Sequence, residues 1–138
     1  MKIIDATNLI LGRLGARVAK DLLNGEEVTI INPDKIIISG SIERITEKYL
    51  EKRRMQNKAN PAHTPVWPRT PHMLLKKIIS GMMPKKTVRG KQALSRLRVM
   101  QPGLAMEGAA TIKEIDGSEI ERKTTLGAVC SRLGWNAN

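Results

Sequence analysis

Cysteine, aromatic residues and acids are the scarce components of this chain. It has one cysteine, Cys130, and therefore no internal disulfide and no cluster of thiolate metal ligands. That usage points to a reducing, intracellular setting. Two histidines, His63 and His72, stand far from the cysteine and show none of the short ligand spacings of a zinc site, so no metal is expected. There is no phenylalanine, one tyrosine and two tryptophans. Such a chain lacks the aromatic platform on which single-stranded RNA is usually read. No apolar run approaches the length of a membrane span. The first residues, Met1-Lys2-Ile3-Ile4-Asp5, lack the charged and apolar regions of a signal peptide. Acids number 13 against 24 Lys and Arg, a net charge of +11. That charge repels itself unless a polyanion is near, which leaves nucleic acid and an anionic membrane surface as candidate partners.

What is present suits one domain. In 138 residues, 41% are hydrophobic and 27% charged, so wholesale disorder is not expected. A chain of this size hides roughly two-thirds of its unfolded surface, enough for an ordinary core. The charge is concentrated. Between Arg44 and Arg98 there are fifteen Lys or Arg and two acids, Glu47 and Glu51. The flanks are slightly acidic and read as the globular body. The segment of about 44–98 reads as a polyanion-binding surface, because a merely solvated face would mix signs.

Ile3-Ile4 suits a strand. Thr7 or Asn8 can cap a helix carrying Leu11, Leu14, Val18 and Leu22, stopped by Asn24-Gly25. Val28 to Ile31 and Ile36 to Ile38 are continuous apolar runs, as in strands of a parallel sheet buried on both faces. Asn32-Pro33-Asp34 turns between them. The order suggests a βαβ unit. Ser41 can cap a second helix with Ile42, Ile45 and Tyr49 inward. Four prolines, Pro61, Pro65, Pro68 and Pro71, then impose an extended segment. Thr70 and Pro71 open a third helix running to Ser80-Gly81. Thr87 opens a fourth, with Leu94 and Leu97 inward, ending near Pro102-Gly103. Thr111 to Ile115 alternates like a strand and Asp116-Gly117 turns. Leu126, Val129, Cys130 and Leu133 mark a last helix stopped by Gly134. The fold class expected is α/β.

Catalytic chemistry finds little support. Cys130 lies on an apolar helical stripe, where a small buried hydrophobe is the ordinary role. Gly12-Arg13-Leu14-Gly15 is placed between the first strand and first helix, but has neither the third glycine nor the Gly-Lys-Ser/Thr of a phosphate loop. Close helix packing is the reading favoured for these glycines. Arg13, Arg17 and Lys20 share a helix face that either meets phosphate or is solvated. Lys52, Arg53, Arg54 and Lys58 close the second helix. Lys85, Lys86, Arg89 and Lys91 surround the start of another, whose free amides also favour anions. Such an arrangement opposes itself unless an anion is shared. His63 and His72 flank the proline segment as donors to RNA. Trp67, held between prolines, either stacks on an unpaired base or covers a groove of its own protein. Shape and phosphate recognition of folded RNA fits better than base-by-base reading.

The segment Gly81-Met82-Met83-Pro84-Lys85-Lys86-Thr87-Val88-Arg89-Gly90 resembles the Gly-Met-Leu-Pro-x-Lys-Thr-x-Arg-Gly segment of the universal ribosomal protein L-thirteen family. Ala93-Leu94-Ser95-Arg96-Leu97-Arg98-Val99 is close to that family's Ala-Leu-x-Arg-Leu-Lys-Val. Asn60-Pro61 and Arg69-Thr70-Pro71 match landmarks of its archaeal and eukaryotic branch. Ile4-Asp5-Ala6 and Leu11-Gly12-Arg13-Leu14 resemble its opening, and Leu126-Gly127 and Gly134-Trp135 its close. The bacterial branch has His-Pro-His where Met100-Gln101-Pro102-Gly103 stands here. The resemblance implies a three-layer α/β/α fold around a small, mostly parallel sheet. It also implies a cytoplasmic, large-subunit ribosomal protein that binds the major (23S-type) rRNA beside neighbouring ribosomal proteins. Its RNA-facing stretches map onto Asn60 to Arg69 and Lys85 to Arg96. No enzymatic activity, cofactor, small-molecule substrate or membrane partner is expected. An α/β nucleotide-binding transferase would need an acid/base pair or phosphate-binding lysine near the first glycines, and neither is there. A membrane-surface binder would need an uninterrupted basic amphipathic helix. The segment from Lys52 to Arg69 is expected to be mobile until RNA orders it.

Overall fold

A computed structural model describes residues 1–104, 108, 117 and 120–136 of the chain. It is an α/β protein. Strand β1 (Lys2–Asp5) leads to helix α1 (Leu11–Leu23) and strand β2 (Val28–Ile31). A single 3-10 turn, Pro33–Lys35, precedes β3 (Ile37–Ser39). Helices α2 (Ile42–Arg54), α3 (Pro71–Gly81) and α4 (Val88–Ser95) follow, then β4 (Leu97–Val99), β5 (Lys123–Thr125) and α5 (Leu126–Arg132). The strand expected at 111–115, and the turn at Asp116, lie outside the described residues.

The main sheet has the order β1-β2-β4 and is parallel throughout. Strand β2 is its centre, with Val28 paired to both Lys2 and Leu97. All four residues of β2 are buried. That burial explains why Val28-Thr29-Ile30-Ile31 is apolar without alternation. The β1–α1–β2 unit is the βαβ start that the apolar runs imply. Helix α1 buries Leu14, Val18 and Leu22 completely, a stripe worth about 1.5–3 kcal/mol for each side chain. Leu74, Leu75 and Ile79 of α3, Leu97 of β4, and Leu126, Val129 and Cys130 of α5 complete the same core.

Several local expectations are corrected. Helix α1 starts after Ile10, which makes no side-chain cap bond. Thr7 instead donates its hydroxyl and amide to the Asp5 carboxylate, at 2.7 and 3.0 Å. Asn8 takes a left-handed conformation, φ 61°, which removes it from the helix entry. Gly12 and Gly15 therefore lie inside α1, not in a turn before it. Ser41 and Thr70 occupy N-cap positions, but neither side chain caps. Strand β3 does not join the parallel sheet. It pairs antiparallel with β5, Ile37 opposite Thr125 and Ser39 opposite Lys123. The Thr124 hydroxyl donates to the Gly40 carbonyl at 2.8 Å, holding that pair at its end. Helix α4 stops at Ser95 rather than near Pro102, and Leu97 belongs to a strand.

Candidate nucleic-acid interface

The loop from Pro84 to Gly90 is built by its own hydrogen bonds. The Thr87 hydroxyl and amide both donate to the Pro84 carbonyl, at 2.9 and 3.1 Å. The same hydroxyl accepts from the Gly90 amide at 3.1 Å, capping α4. Gly90 has no room for a side chain, because a methyl there would lie 2.1 Å from the Pro84 carbonyl oxygen. The fold thus uses Pro84, Thr87 and Gly90 to hold Lys85 and Lys86 on an exposed turn at the entrance of α4. No acid lies in that helix's first turn. Arg89 has a structural bond as well, donating to the Leu23 carbonyl at 3.1 Å. That bond brings the start of α4 to the end of α1, where Arg89 and Lys20 line one surface cleft.

A second group forms around Trp67. The indole packs on Tyr49 of α2, ring centroids 5.9 Å apart, and is partly buried against the core. Arg53 donates to the Trp67 carbonyl. The Lys52 ammonium sits 4.4 Å from the indole centroid and that of Lys77, on α3, 5.7 Å from it. Of the two readings of Trp67, the structure favours the one in which it covers a groove of its own protein. Burial also raises the Tyr49 hydroxyl above its ordinary pKa, with proximity to Cys130 adding to it. Two ammoniums over one indole repel each other, so the arrangement suits an anion that both can meet. Lys77 is not among the residues that the sequence singles out. The Lys76-Lys77 pair in an otherwise apolar helix is the signal that could have marked it.

Between Arg53 and Trp67 the chain from Asn57 to Thr64 folds through side-chain turns. Asn60 donates its amide to the Asn57 side chain at 3.1 Å, and its own side chain accepts from the Ala62 amide at 3.2 Å. The Asn57 amide donates to the Thr64 hydroxyl at 3.2 Å. Pro61–His63 is a single 3-10 turn. Lys58 and His63 are exposed on this loop, and Lys58 lies beyond α2, which ends at Arg54. Arg13, Arg17, Arg54, Arg69 and Lys91 are exposed, while Arg53 and Arg96 are half-buried.

The charge pattern is clear in the ion pairs. Lys2 pairs with Asp21 at 3.5 Å and with Glu26, and Arg17 lies 3.9 Å from Asp21. These hold the end of α1 to β1. Among the described residues, no Lys or Arg between 44 and 98 has an ion-pair partner. Of the α1 cations, Arg17 is thus partly neutralised while Arg13 and Lys20 are not. Gly15 does permit a close approach, since a methyl there would meet the Met82 sulfur at 2.8 Å; Gly12 has nothing within 4 Å. Cys130 is fully buried, and burial pushes its thiol up to about 12, which suits a packing residue rather than a nucleophile. No group of three or more potential metal ligands exists among the described residues. No described helix is long and apolar enough to cross a membrane.

Residues 1–102 match the family model described as Ribosomal protein L13. The chain belongs to the ribosomal protein L13 family. The large ribosomal subunit protein uL13 of Thermoplasma acidophilum is 38% identical over 137 residues, covering 97% of this chain and 98% of its own length. The uL13 protein of Methanococcoides burtonii is 40% identical over 140 residues, with the same coverage of both chains. That of Methanosarcina barkeri is 45% identical over 100 residues, 72% of this chain and 69% of its own. The capped loop at 84–90 lies inside the L13 match. The last strand and helix lie beyond it, but within the stretch aligned with the full-length archaeal relatives.

Proposed function

We propose that this L13-family chain is a structural, non-enzymatic constituent of the cytoplasmic large ribosomal subunit. It binds folded large-subunit rRNA through Lys and Arg bonds to phosphate and packs beside neighbouring ribosomal proteins. The observation that carries the reading is the set of cations from Arg44 to Arg98 that have no ion-pair partner among the described residues, on a body whose other cations partly pair with acids. Phosphates would supply the missing partners where RNA segments approach, releasing counterions and bracing the packed RNA. Lys52, Arg53, Arg54, Lys58 and Arg69 would act on one side of Trp67. Lys85, Lys86, Arg89, Lys91 and Arg96 would act around α4, with Arg13 and Arg17 beside them. His63 and His72 would donate to RNA, and Trp67 would shape the surface that carries Lys52 and Lys77.

The test is the salt dependence of binding to purified large-subunit rRNA. Lys85→Ala, Lys86→Ala and Lys91→Ala, combined, leave the Arg89 bond to α1 intact. Every phosphate that the variant no longer neutralises should flatten the slope of log affinity against log salt by about 0.7–0.9. An unchanged slope in a folded triple variant would show that these side chains do not meet phosphate.

A further inference from the structure

We propose that the cleft between the start of α3 and Trp135 receives one unpaired nucleobase of the large-subunit rRNA, with the attached phosphate on Arg69. The inference rests on the RNA-binding reading above. The cleft measures about 430 Å³ and is lined by Thr70, His72, Gln101, Trp135 and Asn136 together with the Pro102-Gly103 corner. Among the described residues, no carboxylate, lysine or arginine lines it. The cleft on α2, by contrast, is walled by Glu43, Glu47 and Glu51. An uncharged but polar lining suits an uncharged, polar-edged ligand.

Two of its side chains have bonds left to make. The Thr70 hydroxyl sits at the N-cap of α3 without capping it, and is buried with no hydrogen-bond partner among the described residues. His72 Nδ1 is also buried, without a hydrogen-bond partner among the described residues. Desolvation lowers the pKa of His72 below its ordinary value, which favours the neutral ring with one donor and one acceptor. The Gln101 and Asn136 amides each bring a donor and an acceptor to the same lining. A base edge offers both kinds of group. Trp135 is half-buried against the core, and its indole supplies a flat surface in a protein with few aromatic rings.

The anion site lies next door. The Arg69 guanidinium comes within 3.4 Å of where a methyl on Gly134 would be, beside Trp135, and has no ion-pair partner among the described residues. A neutral, flat, polar-edged group joined to an anion is a nucleotide. An apolar protein side chain would leave Thr70 and His72 unbonded, and a lone phosphate would leave the indole uncovered.

The experiment reconstitutes the full-length protein with its own large-subunit rRNA and reads base reactivity nucleotide by nucleotide. Wild type should protect at least one unpaired base. Trp135→Ala should re-expose that base, leave the rest of the footprint intact and weaken binding by about 5- to 150-fold. Trp135→Phe should restore protection. Thr70→Val, which keeps the shape of the side chain, should expose the same base and serves if Trp135→Ala does not fold. Variant footprints that superimpose on wild type would overturn the inference while leaving the RNA-binding reading in place. A wild-type protein with no footprint at all would bring down both.

Discussion

Replacing Gly90 by alanine should disrupt the loop that presents Lys85 and Lys86. The added methyl would lie 2.1 Å from the Pro84 carbonyl oxygen and 2.7 Å from its carbon. Carbon atoms in proteins do not approach this closely, and the obstacle is backbone, so no side chain can swing away. Either α4 or the Pro84 turn must shift by roughly 1 Å. Overpacking of this kind costs about 1–3 kcal/mol. The same shift pulls the Gly90 amide and the Pro84 carbonyl off the Thr87 hydroxyl, both near 3 Å now, and removing a cap costs about 1 kcal/mol more. The expected destabilisation is about 2–4 kcal/mol. For a chain of this length that lowers Tm by roughly 6–16 °C. Gly12→Ala is the paired control, because Gly12 is in α1, exposed, with nothing within 4 Å of the new methyl. It should leave stability unchanged or raise it by about 0.4–1 kcal/mol. Thermal and urea unfolding of both variants measure the contrast. A Gly90→Ala protein within about 1 kcal/mol of wild type would refute the argument that Pro84, Thr87 and Gly90 form one rigid unit.

Trp67→Ala should cost stability, roughly half of the 3–5 kcal/mol of a fully buried aromatic, since the ring is only partly buried against Tyr49; unfolding unchanged from wild type would instead favour a base-stacking role. Native Cys130 should resist thiol reagents at about pH 8 and react on unfolding, because burial pushes its pKa up to about 12; rapid labelling of the folded protein would contradict this. Burial tends to raise the Asp5 carboxyl, but donation from Asn32 and Thr7, with Lys35 nearby, leaves it below 3.8. Its contribution is therefore present above pH 3.8 and falls away as pH drops through its folded value. Asp5→Asn should flatten the acid limb of a stability–pH curve, and an unaltered limb would show that these bonds add nothing.

Apolar patterning makes β1, α1 and β2 legible: Ile4 of β1, the Leu14, Val18 and Leu22 stripe of α1 and all of β2 are buried. Leu97-Arg98-Val99 reads as a continuation of α4, since Leu94 and Leu97 keep helical spacing and nothing local announces the change of period at Arg96. The partner of β3 is hidden for a different reason. Strand β5 is Lys-Thr-Thr, with no apolar signature, and its position depends on tertiary pairing with Ile37 to Ser39. Helix α1 begins later than its capping residues suggest because Asp5 competes for Thr7. Charge makes the cationic loop at 85–91 legible without a structure. The cleft of Thr70, His72 and Trp135 is not, since its walls are brought together only by folding residues far apart in the chain. The local bonds from Asn57 to Thr64, and the bond from Arg53 to the Trp67 carbonyl, give the proline segment more structure than its composition alone predicts.

The parallel order β1-β2-β4 has a consequence for the timing of synthesis. Strand β2 ends at Ile31, and the strand on its other edge begins at Leu97. All of α2, the proline segment, α3 and α4 are made in between. At about 5–20 residues per second, roughly 3–13 s pass before the sheet can close. During that interval one side of β2 lacks its partner, and an open strand edge is a template for unwanted pairing. Nearly all the cations of the middle have by then left the peptidyl-transfer site. The chain therefore makes its cation-rich middle before the strand that completes its parallel sheet.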